Sequence, residues 1–165
     1  MLHVVMLGGT HPRARIELHD VAFVDVRRLE DAHDELRRQW FADPQGVHID
    51  SWMEVDGVDG HQVRFSDATP ASGAPRLYFL NLGGYMAGEF GEAHRYLLVV
   101  ATDAVQAKTR ARALAHGVHW QLPHVDEVME VDDCLPVDRV GGRYVELIPG
   151  PHRDIAQFSD YIKLT

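Results

Sequence analysis

With one cysteine, Cys134, in 165 residues, the chain cannot close an internal disulfide and cannot build a Cys-rich zinc site. Long apolar runs are also missing. None approaches the roughly 20 residues of a membrane span, and Met1–Leu7 is too short for a signal peptide and has no basic stretch before it. Basic residues are scarce: 16 Lys and Arg stand against 25 Asp and Glu, a net charge of −9. Phosphate backbones and anionic membranes both reward a basic surface, so nucleic-acid and membrane partners are disfavoured. No Gly-x-Ser-x-Gly element offers a serine nucleophile, and no Gly-x-Gly-x-x-Gly element offers a dinucleotide fingerprint. What remains is an ordinary globular balance, 45% hydrophobic and 25% charged, with eleven histidines. The expectation is a cytoplasmic protein.

The chain reads as if written twice. Leu2-His3-Val4-Val5-Met6-Leu7-Gly8-Gly9 matches Leu77-Tyr78-Phe79-Leu80-Asn81-Leu82-Gly83-Gly84, and the same offset lays Glu17-Leu18-His19 on Glu92-Ala93-His94. Further on, His48–Asp56 matches His124–Asp132 with six of nine positions identical. The pattern predicts a tandem duplication with repeats at 1–66 and 76–148, a Pro- and Gly-rich linker at 67–75, and a tail at 149–165 after Pro149-Gly150-Pro151.

Each repeat reads as strand, strand, helix, strand, strand. The apolar runs 2–7 and 77–82 and the β-rich stretches 19–26 and 94–101 predict the first two strands. A helix is predicted over 103–116, capped by Thr102, with the stripe Ala104, Ala107, Ala111 and Leu114 facing the core. Its counterpart carries Leu29, Ala32, Leu36 and Trp40 on the same spacing. Third strands are predicted at 49–56 and 125–132, with Ile49, Met53 and Val55 on one face and Asp50, Trp52, Glu54 and Asp56 on the other. Fourth strands at 61–65 and 143–147 follow the turns Asp59-Gly60 and Gly141-Gly142. Two ββαββ units, each with one helix on an antiparallel or mixed sheet and related by a pseudo-twofold axis, make an α+β protein.

Leu-Gly-Gly closing a first strand, Glu-x-His entering a second, and His-x-Asp before a third strand ending Glu-Val-Asp form a specific combination. Together with Asn81-Leu82-Gly83-Gly84-Tyr85 and Gly88-Glu89-Phe90, it makes the chain resemble the bacterial family catalogued as domain of unknown function 1543. The resemblance runs over both repeats and implies a small soluble α+β protein whose members carry one or two copies. It implies no activity. The second repeat departs from the pattern, running on from Asp126 to Glu127 and lengthening after Asp132.

Polar residues that recur are the candidates for function, because a core does not demand them. Glu17 with His19, and Glu92 with His94, share a strand face at i, i+2; His48 with Asp50, and His124 with Asp126, have the same spacing. If the second and third strands bring these pairs together, each repeat offers two imidazoles and two carboxylates. That set suits a divalent metal such as zinc, manganese or iron, or a histidine general base oriented by a carboxylate. The competing reading is architectural, with Glu17 meeting His94 and Glu92 meeting His19 across the dyad. Glu54, Asp56, Glu130 and Asp132 read as a solvated strand face. Gly8-Gly9 and Gly83-Gly84 read as tight turns needing positive φ, with an anion-binding nest as the minor alternative. His116, His119 and His124 do not form a helical ligand pair, because Gly117 ends the helix. A nucleophilic Cys134 would need a histidine close by, and Trp40, Trp52 and Trp120 read as core anchors.

Two functions follow from different classes. One is a binding or interaction module with a polar cleft for a small molecule or protein partner, for which a homodimer is one expected form. The other is a metal-assisted enzyme of the hydrolase kind.

Overall fold

Strand β1 (Leu2–Gly9) is an almost wholly buried apolar run, and it takes a neighbour on each side. In the computed structural model, described for residues 1–85, 88–116 and 130–164, the elements that follow are β2 (Leu18–Asp25), a 3-10 turn (Leu29–Ala32), α1 (His33–Gln39), β3 (His48–Val55), β4 (Gly57–Val58), β5 (His61–Ser66), β6 (Arg76–Tyr85), β7 (Glu92–Ala101), α2 (Ala104–His116), β8 (Glu130–Pro136), β9 (Arg139–Val140), β10 (Arg143–Pro149) and β11 (Ala156–Lys163). The protein is mostly sheet with two short helices, an α+β arrangement. No helix among the described residues is long and apolar enough to cross a membrane.

The chain divides into two units. The first comprises 1–64, 140–143 and 148–165; the second comprises 65–139 and 144–147. The first unit holds an antiparallel sheet in the order β11-β3-β1-β2. One face is closed by the 3-10 turn and α1, whose Leu29, Ala32, Leu36 and Trp40 are all buried against Val5, Leu7, Ala22, Val24 and Ile49. The helical spacing read from the sequence therefore marks the packed face. The stretch after Pro151, read as a tail, contains β11, which pairs with β3 from Ala156 opposite Glu54 to Lys163 opposite His48. Its alternation is hard to see in sequence because a bulge at Asp160-Tyr161 interrupts it.

A second bulge decides where the site lies. Ser51 pairs with Met6 and Ile49 pairs with Leu7, so Asp50 is an extra residue in the ladder. The extra residue breaks the expected alternation. Ile49 lies with Trp52 on the helix-covered face, where both join the core, and not with Met53 and Val55.

The second unit holds a three-stranded antiparallel sheet, β7-β6-β8, with α2 on one face. Ala107 and Ala111 are fully buried there, whereas Ala104 and Leu114 are exposed, so the predicted stripe is half as wide as expected. The cap also differs. The Gln106 N–H donates to Asp103 Oδ1 at 2.8 Å, which makes Asp103 the N-cap, while Thr102 N–H donates to Gln106 Oε1 at 2.8 Å.

Cys134 lies within β8, its Sγ 4.0 Å from the Ala104 carbonyl oxygen, and burial pushes its thiol pKa up. That is the opposite of an activated nucleophile. Thiol titration with a disulfide reagent at neutral pH is expected to run slower on the folded protein than on the same protein in denaturant, and to accelerate only on the alkaline side of a free thiol. Equal rates in the folded and unfolded states would contradict this placement.

Candidate functional site

Gly8 sits opposite His19 on one side and opposite His48 on the other. Residues paired across a sheet share a face, so the two imidazoles are directed to one side, away from α1. Glu17 precedes β2 by one residue, and the bulged Asp50 follows His48 by two. The four side chains close into a ring. His48 Nε2 lies 3.1 Å from Glu17 Oε1 and 3.3 Å from Asp50 Oδ1; His19 Nε2 lies 3.2 Å from Asp50 Oδ2 and 3.6 Å from Glu17 Oε2. Both carboxylates that face His19 belong to its own unit.

The ring is unevenly exposed. The His48 side chain is 3% accessible and Asp50 28%, whereas His19 is 49% and Glu17 45% accessible. His48 Nδ1 lies 2.9 Å from the Gly46 carbonyl oxygen, which can only accept, so Nδ1 carries a proton and Nε2 is the ring nitrogen turned toward the carboxylates. Buried His48 Nε2 and Asp50 Oδ2 have no hydrogen-bond partner. As the side chains stand, no three His, Cys, Asp or Glu groups among the described residues already form a finished metal-holding set. Tyr161, delivered by the bulge in β11, lies over His48 with ring centroids 4.2 Å apart.

The Gly-Gly pairs have a steric role. Gly8, Gly9 and Gly83 adopt no positive φ, and all four glycines lie inside strands, so neither the tight turn nor the anion nest expected at Gly8, Gly9, Gly83 and Gly84 is present. A Cβ on Gly8 would come within 2.5 Å of His48 Nε2 and 2.6 Å of Asp50 Oδ2. A Cβ on Gly9, on the other face, would come within 2.8 Å of the Trp40 ring. Gly8 is the floor of the cluster.

In the second unit Gly83 pairs with His94, as Gly8 pairs with His19. Across β8, however, Gly83 pairs with Glu130, and the bulge falls at Asp132 between Val131 and Asp133. The place held by Asp50 is thus taken by Asp132, and the place opposite the glycine held by His48 is taken by Glu130. A Cβ on Gly83 would collide with the Asp132 and Glu92 carboxylates. His94 Nδ1 lies 3.1 Å from Asn81 Oδ1 and 3.6 Å from Asp132 Oδ2, and Asn81 Nδ2 donates to Asp133 Oδ2 at 3.1 Å. His124 and Asp126, with His119 and Trp120, lie outside the described residues.

Asp132, Asn81 and Tyr161 were not singled out as site residues in the sequence. Asn81 was visible as the one polar interruption of an apolar strand. Asp132 was hidden because the best sequence match aligned it with Asp56, six residues out of its structural register.

The family model described as Domain of Unknown Function (DUF1543) matches residues 14–65. Over its whole length the chain is 33% identical to a solved structure, "protein Il1583 from Idiomarina loihiensis", covering 99% of this chain and 97% of that one with a TM-score of 0.77. Residues 14–65 carry the DUF1543 domain. Among curated proteins none matches it. The DUF1543 match contains Glu17, His19, His48 and Asp50, the complete first cluster, and ends before Glu92 and His94. Of the motif residues noted in the sequence, Glu17, His19, His48 and Asp50 wall this cluster and Gly8 is its floor.

Proposed function

We propose that this DUF1543 protein is a binding module for a small cation, with its site at the open end of the first sheet. The observation that carries this reading is His48 Nε2, buried, without a hydrogen bond, and within 3.3 Å of two carboxylate oxygens. A buried polar atom left unmatched costs about 1–3 kcal/mol. A positive charge between imidazole and carboxylates removes that cost and offsets the repulsion between Glu17 and Asp50. The two units descend from one duplicated ββαββ element in this reading. The shared register Gly8–His19 and Gly83–His94, and a bulge at the same ladder position in β3 and β8, support it. Their sites have diverged, with Glu130 in the place of His48.

Thermal unfolding against a panel of cation chlorides and small amines at constant ionic strength tests the proposal. A cation present at about 100 times its Kd adds about 2.7 kcal/mol, or about 5–10 °C for a chain of this size. The wild type and His94→Ala are expected to gain that increment with at least one cation; His48→Ala is expected to gain none. Equal responses of wild type and His48→Ala to every cation would overturn the proposal.

A second reading has one observation in its favour. His19, half-exposed and 3.2 Å from Asp50, is a carboxylate-oriented imidazole open to solvent. The same pair can act as a general base beside the bound cation in a hydrolase-type reaction.

A further inference from the structure

Resting on the cation-binding reading above, we infer that the ion is a borderline divalent metal of the zinc class, held by His19, His48, Glu17 and Asp50 and exchangeable with solvent. Three lines of chemistry narrow the ion. The first is donor type: two imidazole nitrogens and two carboxylates suit zinc and its d-block neighbours, whereas calcium and magnesium prefer oxygen alone and need six or more ligands. The second is size. With bonds of about 2.1 Å, neighbouring donors around a tetrahedral ion stand about 3.4 Å apart. The four nitrogen–oxygen separations here run from 3.1 to 3.6 Å. Each carboxylate turns one oxygen toward His48 and the other toward His19, so the four side chains come within reach of one small ion once Glu17 and His19 rotate toward it. The third is orientation. The Gly46 carbonyl holds the His48 proton on Nδ1 at 2.9 Å, so the coordinating lone pair is fixed in advance, as in the outer shell of established zinc sites.

The same geometry makes the ion exchangeable. His48 anchors from the buried side, while Glu17 and His19 are half-exposed and close on the ion by rotations about their own side-chain bonds. A structural zinc would be enclosed on all sides. Here the solvent side stays open for a chelator, or for a water molecule or substrate oxygen on the metal. Gly8 beneath the ring sets the depth, because any side chain there would collide with His48 Nε2 and Asp50 Oδ2, two of the donors.

The experiment is titration of chelator-treated, dialysed full-length protein with zinc, cobalt and magnesium chlorides, followed by calorimetry and, for cobalt, by visible absorption. One zinc per chain is expected, with magnesium weaker by about 100-fold or more and cobalt showing the intense visible bands of a tetrahedral site with nitrogen ligands. His48→Ala and Asp50→Asn should each lower zinc affinity by about 100-fold or more. Exposed His19→Gln provides the same test should the buried variant fail to fold. Zinc binding that all three variants leave unchanged would overturn the site. Magnesium or calcium binding as tightly as zinc, and lost in these variants, would overturn the metal class but leave the cation module standing. No heat or stabilisation from any cation would remove both.

Discussion

Replacing Gly8 by alanine is expected to abolish cation binding and to destabilise the protein by about 1–3 kcal/mol, the range for overpacking a filled site. In a strand interior the exchange ordinarily helps, by roughly 0.5–1 kcal/mol, because glycine gives up more backbone freedom on folding than alanine. The sign reverses here because the new methyl group meets His48 Nε2 at 2.5 Å and Asp50 Oδ2 at 2.6 Å. His48 cannot retreat: its side chain is buried, its Nδ1 is tied to Gly46, and Tyr161 lies over its ring. Calorimetry with zinc chloride and chemical denaturation together read the result. Gly83→Ala is the control. It collides with Asp132 and Glu92 in the second unit, so it should lose comparable stability while keeping the zinc heat of the wild type. A Gly8→Ala protein that binds zinc like the wild type would mean that the occupant does not sit above Gly8.

Most of the elements were legible because their signals are local. The apolar runs of β1 and β6, the Asp59-Gly60 and Gly141-Gly142 turns with both residues at positive φ, and the buried stripe Leu29, Ala32, Leu36 and Trp40 all depend on residues a few positions apart. The four candidates Glu17, His19, His48 and Asp50 were legible as recurring polar pairs, and their convergence followed from Gly8 lying opposite both histidines. What was not legible depends on register. A bulge leaves no composition mark, so nothing in the sequence announced that Asp50 was the extra residue, and Ile49 was assigned to the wrong face. The reading of the second half failed in the same way. The match of His48–Asp56 to His124–Asp132 was strong by identity, yet the ladder aligns Asp50 with Asp132. Hydrogen-bond pairing selects the residue that meets the glycine, and identity has no part in that selection.

Truncating Trp40 to alanine is expected to cost about 3–5 kcal/mol, the usual loss for a buried aromatic, or a fall in melting temperature of about 10 °C. Trp40 is 6% exposed, joins the core beneath β1, and donates its indole N–H to the Asp43 carbonyl at 3.0 Å, so truncation opens a cavity and also removes a hydrogen bond. The ring is held against the backbone of Gly9, where a Cβ would stand 2.8 Å from it. A double-mutant cycle separates this contact from general loss of packing. Gly9→Ala alone should destabilise, since the buried ring has nowhere to move. In the Trp40→Ala background the same exchange meets an emptied space, and the ordinary strand preference for alanine over glycine returns. The effect of Gly9→Ala should therefore change sign between the two backgrounds, with a coupling energy of about 1–3 kcal/mol. Additive losses would mean that Trp40 and Gly9 stabilise the sheet independently. A sign change would show why two glycines stand side by side: Gly9 admits the tryptophan that closes the core on one face, and Gly8 leaves room for the histidine cluster on the other.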